Sequence, residues 1–202
     1  MSQPIHRRAI LAGGLAMAGG RALAQADPGL VHVALKTPKG TITLALNADK
    51  APITTRNFLR YVDAHRYDKA TFYRTSHAPG DATRGFIEGG LENINVFKPI
   101  AHESTVVTGL THKDGTISMA ANRPGTANAD FFILVGDNPG FDATPGDDAK
   151  QGFAAFGQVT DGMDVVRAIY ASPTSPTKGL GIMRGEMLAP TVPIVSARRA
   201  GA

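Results

Sequence analysis

Residues 71–90 read "TFYRTSHAPGDATRGFIEGG". An aromatic pair and one arginine, Phe72-Tyr73-Arg74, open the stretch, and Gly85-Phe86-Ile87-Glu88-Gly89-Gly90 closes it. Between them lies "TSHAPGDATR", which reads as a loop punctuated by Pro79 and Gly80. No nucleophile and base accompany the arginine, so bond-making chemistry has no obvious agents here.

Working outward, the flanking segments read as short strands with few helices. Leu30 to Leu46, "LVHVALKTPKGTITLAL", predicts a hairpin: Val31, Val33 and Leu35 alternate on one arm, and Ile42, Leu44 and Leu46 on the other. Thr37-Pro38-Lys39-Gly40 supplies the turn. In "APITTRNFLRYVDAHRYD", Pro52 suits a first helical turn, and Phe58, Tyr61, Val62 and His65 form one apolar stripe, with His65 expected to pack. Thr71–Tyr73, Thr116–Ala120 and Asp130–Val135 are strand candidates, and "VPIVSARR" at 192–199 is another. Met163 to Tyr170, started near Asp161, predicts a second helix. The pattern is that of a mostly-β barrel or sandwich with covering helices.

The chain has 202 residues with 21 basic and 17 acidic side chains. Residues 1–26, "MSQPIHRRAILAGGLAMAGGRALAQA", show the order of an export signal: a basic start, an apolar run, then small residues. Arg7-Arg8 points to the twin-arginine route, with cleavage after Ala24 or Ala26. Removing Arg7, Arg8 and Arg21 leaves 18 bases against 17 acids, so the pI of about 9.5 largely reflects the leader. A nearly neutral mature chain, residues 27–202, gives no support to nucleic-acid binding. It suits one domain in the periplasm or otherwise outside the cytoplasm. The absence of cysteine excludes disulfides and thiol chemistry.

Two chemistries are tested and set aside. The acidic loop "FDATPGDDAKQG" holds Asp142, Asp147 and Asp148, but its spacing is not that of a calcium loop, and the histidines show no zinc pattern. "HKDGTIS" brings His112, Asp114 and Ser118 together in sequence without a Gly-x-Ser-x-Gly elbow, and reads as a turn entering a strand.

The ordered blocks resemble the cyclophilin-type peptidyl-prolyl isomerases. They are Phe72-Tyr73-Arg74, Gly85 to Gly90, Gly115 to Ala120, Asp130-Phe131-Phe132-Ile133, Phe153 to Gly157 and Gly162 to Val166. The order holds from about Val31 to Arg199. The resemblance implies a closed eight-stranded antiparallel barrel capped by two α-helices. It implies rotation about X–Pro bonds of proline-containing peptides or unfolded clients, by a monomer needing no cofactor, metal or membrane once the signal is removed. A non-catalytic peptide-binding or chaperone module on the same fold is the alternative, and a calcium-stabilised exported β-domain is a third reading.

Such rotation meets a barrier near ~20 kcal/mol because amide conjugation is lost. It calls for a fixed donor to the twisted prolyl nitrogen and an apolar grip on the ring, and the donor could contribute roughly 3 kcal/mol, about a hundredfold. By resemblance Arg74 is the catalytic residue. Phe132 is the pocket floor, Phe86 a wall, Phe141 stands for a leucine, and Phe153 for a frequent histidine. Ala121 and Asn122 fall where backbone pairs with substrate. Glu88 and Asp130 replace two glutamines and bring negative charge towards Arg74. The stretch after Arg74 exceeds the family's usual length.

Overall fold

The computed structural model describes residues 29–201; residues 1–26, read from the sequence as an export signal, lie outside them. The opening hairpin forms as its alternation dictates, β1 (Leu30–Thr37) pairing with β2 (Gly40–Asn47), with Val33, Leu35, Ile42, Leu44 and Leu46 fully buried. Helix α1 (Pro52–Asp63) follows and buries Phe58, Tyr61 and Val62. No side chain at its own N-terminus caps it. Instead Glu103, about fifty residues on, accepts the Ile53 N–H at 3.0 Å and the Thr54 N–H and hydroxyl at 2.7 and 2.6 Å. A carboxylate at the positive end of a helix is favourable for charge as well as hydrogen bonding. His65 falls beyond α1 in a left-handed conformation and is exposed, because the helix stops at Asp63 before the stripe reaches it.

The remaining strands are β3 (Thr71–Ala78), β4 (Asp81–Gly90), β5 (Thr116–Met119), β6 (Phe131–Val135), β7 (Ala154–Asp161), β8 (Met187–Pro193) and β9 (Ser196–Arg199). Helix α2 (Thr105–Thr108) is a single turn, and α3 (Met163–Tyr170) follows β7. All pairings are antiparallel, in the order β8-β3-β4-β6-β5-β7-β2-β1-β9.

The architecture is therefore the expected mostly-β barrel with three differences. Among the described residues there are nine strands rather than eight, and a third, one-turn helix. No ladder joins β8 to β9, and the chain itself carries the closure: the Ile194 N–H bonds to the Ala70 carbonyl before β3, and the Val195 N–H to Lys36 in β1. That crossing divides "VPIVSARR" between two strands. Pro190 and Pro193 are compatible with β8 because it is the edge of the order.

The stretch read as a loop after Arg74 is instead a hairpin, β3 pairing with β4 out to Ala78 and Asp81. Its outer part rests on α3, where the Tyr170 hydroxyl donates to the Arg84 carbonyl at 2.7 Å and His77 meets the Tyr170 ring at 4.2 Å. The start of α3 also differs slightly, Gly162 taking the cap position in a left-handed conformation.

Strand alternation sorts the two faces. Ile87, Phe131, Ile133, Ile117 and Met119 point into the core with Phe72 and Phe156. On the opposite face one row crosses the sheet: Arg74 opposite Glu88, Glu88 opposite Phe132, Phe132 opposite Ser118, and Ser118 opposite Ala155.

Candidate active site

That outward row is the site. It begins with an irregularity in β3: the register steps from Phe72–Gly89 to Arg74–Glu88, leaving Tyr73 as the extra residue of a bulge. A bulge re-aims side chains. Phe72 stays in the core, while Tyr73 and Arg74 both reach Glu88. The Gly89-Gly90 pair allows close approach here: a Cβ on Gly90, at φ +147°, would lie 2.7 Å from the Asp130 Cα.

The Arg74 guanidinium is buried between two carboxylates. Its Nη1 donates to Glu88 Oε2 at 2.8 Å and its Nε to Glu186 Oε2 at 2.8 Å, while Nη2 lies in ion-pair contact with the same Glu186 oxygen at 2.6 Å. The Phe86 ring lies 5.1 Å from the guanidinium carbon, a cation–π distance. Burial acts to lower the Arg74 pKa, but the Glu186 hydrogen bond and the charges of Glu88 and Glu186 hold it above the ordinary value. Burial pushes the Glu88 carboxyl up, and its contacts with Arg74 and Tyr73 only partly offset this. Burial and the neighbouring Glu88 charge raise the Tyr73 hydroxyl.

Asp130, expected to bear on Arg74, is engaged elsewhere. Its Oδ1 accepts the Leu91 and Glu92 N–H groups at 2.7 and 3.0 Å, and it meets the cluster through Tyr73. Burial outweighs those donors and raises its pKa.

Beside the arginine stands a cluster of four phenylalanines. Phe132, only 3 % exposed, forms the floor. Its ring centroid lies 5.3 Å from Phe86, 5.6 Å from Phe141 and 5.2 Å from Phe153. Those three walls are half-buried. Phe141 comes from a short 3-10 turn (Pro139–Phe141), and its carbonyl accepts the Phe153 N–H at 2.9 Å, so two walls move as one. Beyond Phe153 a cavity of about 270 Å³ is lined by Ala121, Asn122, Met119, His102 and the 148–154 segment. The residues proposed from sequence thus form one connected surface, with Asp130 attached through Tyr73.

Several participants have no sequence signal. Glu186 lies 112 residues from Arg74 and joins it only through the β3–β8 pairing. His112 and Ser118 are hydrogen-bonded after all, Nε2 to Oγ at 3.0 Å, but the acid on Nδ1 is Asp142 at 2.6 Å rather than Asp114. Asp114 pairs with Arg167. The chain Ser118–His112–Asp142 does not act on substrate, since Ser118 is 0 % and His112 1 % exposed. It packs beside Phe132 and Phe141 and ties the turn carrying Phe141 to β5. Burial lowers the His112 pKa against the pull of Asp142. Of the acidic loop, Asp142 serves His112, while Asp147 meets Lys150 and Asp148 meets Gln151. No cluster of three metal-ligating side chains occurs among the described residues.

Comparison with known proteins agrees with this geometry. Residues 31–198 match the family model of the cyclophilin type peptidyl-prolyl cis-trans isomerase. The chain is 36 % identical over 169 residues to the peptidyl-prolyl cis-trans isomerase cyp18 of Streptomyces antibioticus, covering 81 % of this chain and 93 % of that one. It is 37 % identical over 176 residues to a peptidyl-prolyl cis-trans isomerase of Acinetobacter baylyi, covering 85 % of each. In structure it resembles a cyclophilin-type isomerase of Cryptosporidium parvum with a TM-score of 0.68 at 17 % identity, covering 86 % of this chain and 99 % of that one. The same parasite protein has been crystallised in the presence of the dipeptide Ala-Pro, and that structure matches with a TM-score of 0.67, covering 85 % and 99 %.

Proposed function

The chain belongs to the cyclophilin-type peptidyl-prolyl cis-trans isomerases, and we propose that it accelerates rotation of X–Pro bonds in unfolded polypeptides outside the cytoplasm. The observation that carries this reading is the adjacency of the pinned Arg74 guanidinium to the four-phenylalanine cluster.

The chemistry asks for little more. As the amide twists, its nitrogen loses conjugation and becomes pyramidal and basic. A guanidinium has five N–H donors; on Arg74 the Nε proton and one on Nη1 are bonded to Glu186 and Glu88, and Nη2 lies in ion-pair contact with Glu186. The remaining N–H groups are available to the prolyl nitrogen or its carbonyl. The pyrrolidine ring sits on Phe132 between Phe86, Phe141 and Phe153, while the preceding residue turns past Ala121 and Asn122. Only the twisted amide gains the full set of contacts, and such differential binding is catalysis. The Ala-Pro dipeptide used with the parasite relative supports the substrate class. One copy supplies every group named, which fits a monomer.

Export rests on residues 1–26, with Arg7-Arg8 ahead of an apolar run and Ala-Gln-Ala at its end. The test has two parts. Cis–trans exchange of an Ala-Pro peptide is measured with the mature chain and with Arg74→Ala. The full chain and an Arg7→Lys/Arg8→Lys variant are followed by cell fractionation. Rates at the uncatalysed level for both mature proteins would overturn the enzymatic reading. Retention of the wild-type chain in the cytoplasm would overturn export.

A further inference from the structure

Glu186 has no counterpart in the sequence blocks, yet it takes more of the arginine than Glu88 does. Its Oε2 accepts the Nε proton and lies in ion-pair contact with Nη2, so it faces the side-on edge of the guanidinium, while Glu88 receives one Nη1 proton. Glu186 is itself fixed from three directions. Its Oε1 accepts the Ser76 hydroxyl at 2.8 Å, its carbonyl accepts the Thr75 N–H at 3.0 Å, and its N–H donates to Met183 at 3.0 Å. Two of these anchors are the residues directly after Arg74 in β3. The arginine and the carboxylate that orients it are therefore referenced to the same piece of backbone.

A long arginine side chain has many rotamers and loses entropy when it is held in one. A donor that must find its place during the reaction contributes less than one held there beforehand. With Phe86 against the guanidinium and its side-on edge held by Glu186, the uncommitted N–H groups have a set direction. We propose that Glu186 is the positioning residue of the Arg74 guanidinium, holding it pre-oriented for the twisted amide. The proposal rests on the isomerase reading above. Its competitor is a brake, in which Glu186 occupies donors that the substrate needs, and the two predict rate changes of opposite sign.

The experiment uses the mature chain as wild type, Glu186→Ala, Glu186→Gln and Ser76→Ala. It measures kcat and KM on an Ala-Pro tetrapeptide by NMR exchange, and solvent exchange of the Arg74 Nε–H by ¹⁵N NMR. Positioning predicts a kcat about tenfold lower in Glu186→Ala with KM within about twofold, the signature of an interaction realised in the transition state. Glu186→Gln, which keeps an oxygen on the same donors, stays within about threefold of wild type. Ser76→Ala, which loosens only Oε1, falls between them and serves if Glu186→Ala does not fold. The Nε–H is protected in wild type and Glu186→Gln and exchanges freely in Glu186→Ala. A kcat equal to or above wild type in Glu186→Ala would overturn the proposal, as would an unchanged Nε–H. If wild type itself shows no Arg74-dependent rate, the isomerase reading fails, and the Nε–H comparison alone decides whether Glu186 positions the guanidinium.

Discussion

Phe131 and Phe132 are neighbours on β6 with opposite duties, which makes them a sharp test of the face assignment. Phe131 packs edge-on against Phe58, Tyr67 and Phe72 at 5.3, 5.6 and 5.8 Å and is fully buried. Such ring pairs are worth ~0.5–1.5 kcal/mol each, so Phe131→Leu should cost about 2–3 kcal/mol. For a domain of this size that lowers Tm by about 4–12 °C. Its kcat/KM at 25 °C should stay within about twofold of wild type, because nothing on the outer face has changed. Phe132→Leu removes the floor beneath the substrate ring. Three ring methylenes at ~0.8 kcal/mol each set an upper limit near ~2.4 kcal/mol for the pocket's grip. Losing about half of that lowers kcat/KM roughly tenfold, mainly through KM. The assay pairs thermal unfolding with cis–trans exchange of an Ala-Pro peptide. Equal activity losses in the two variants, or a loss confined to Phe131→Leu, would refute the division of faces.

Two further predictions concern buried carboxylates. The Glu88 carboxyl is raised above the ordinary carboxylate range by burial. A raised acid contributes stability that is complete below the unfolded pKa and is lost as pH rises through the folded one. The Tm difference between Glu88→Gln and wild type should therefore shift in favour of the variant as pH climbs from 4 to 7, and a flat difference would contradict the assigned direction. Glu103→Ala strips three charge-assisted hydrogen bonds from the start of α1 and should cost about 3 kcal/mol, or about 6–12 °C in Tm, with Glu103→Gln losing roughly half as much. No Tm change in Glu103→Ala would show that solvent or another group caps the helix.

What was legible in the sequence follows from the range of each interaction. The first hairpin was readable because one wet face enforces alternation, and α1 because Pro52 and a stripe mark it. Residues 81–84, Asp-Ala-Thr-Arg, carry no strand signature, and they are extended because β3 offers a partner and Tyr170 holds the carbonyls. β8 was hidden by its prolines, which only an edge position tolerates. At the site, Arg74 and the phenylalanines stand in compact blocks and could be named. The bulge could not, because strict alternation would send Tyr73 and Arg74 to opposite faces. Glu186 and the His112–Asp142 pair join residues 112 and 30 positions apart, so no local pattern announces them. Asp130 shows the converse: its charge was evident, but its direction was set by the Leu91 and Glu92 amides.

If an arginine held by carboxylates beside an aromatic cluster drives amide rotation without bond-making chemistry, removing its guanidinium must slow exchange. The deciding quantity is kcat/KM for cis–trans exchange of an Ala-Pro peptide by residues 27–202 and by their Arg74→Ala variant, each confirmed folded at the assay temperature. The expected outcome is a wild-type rate well above the uncatalysed one and a loss of about a hundredfold in the variant, equivalent to roughly 3 kcal/mol of transition-state stabilisation. A folded Arg74→Ala protein with the wild-type rate would contradict it.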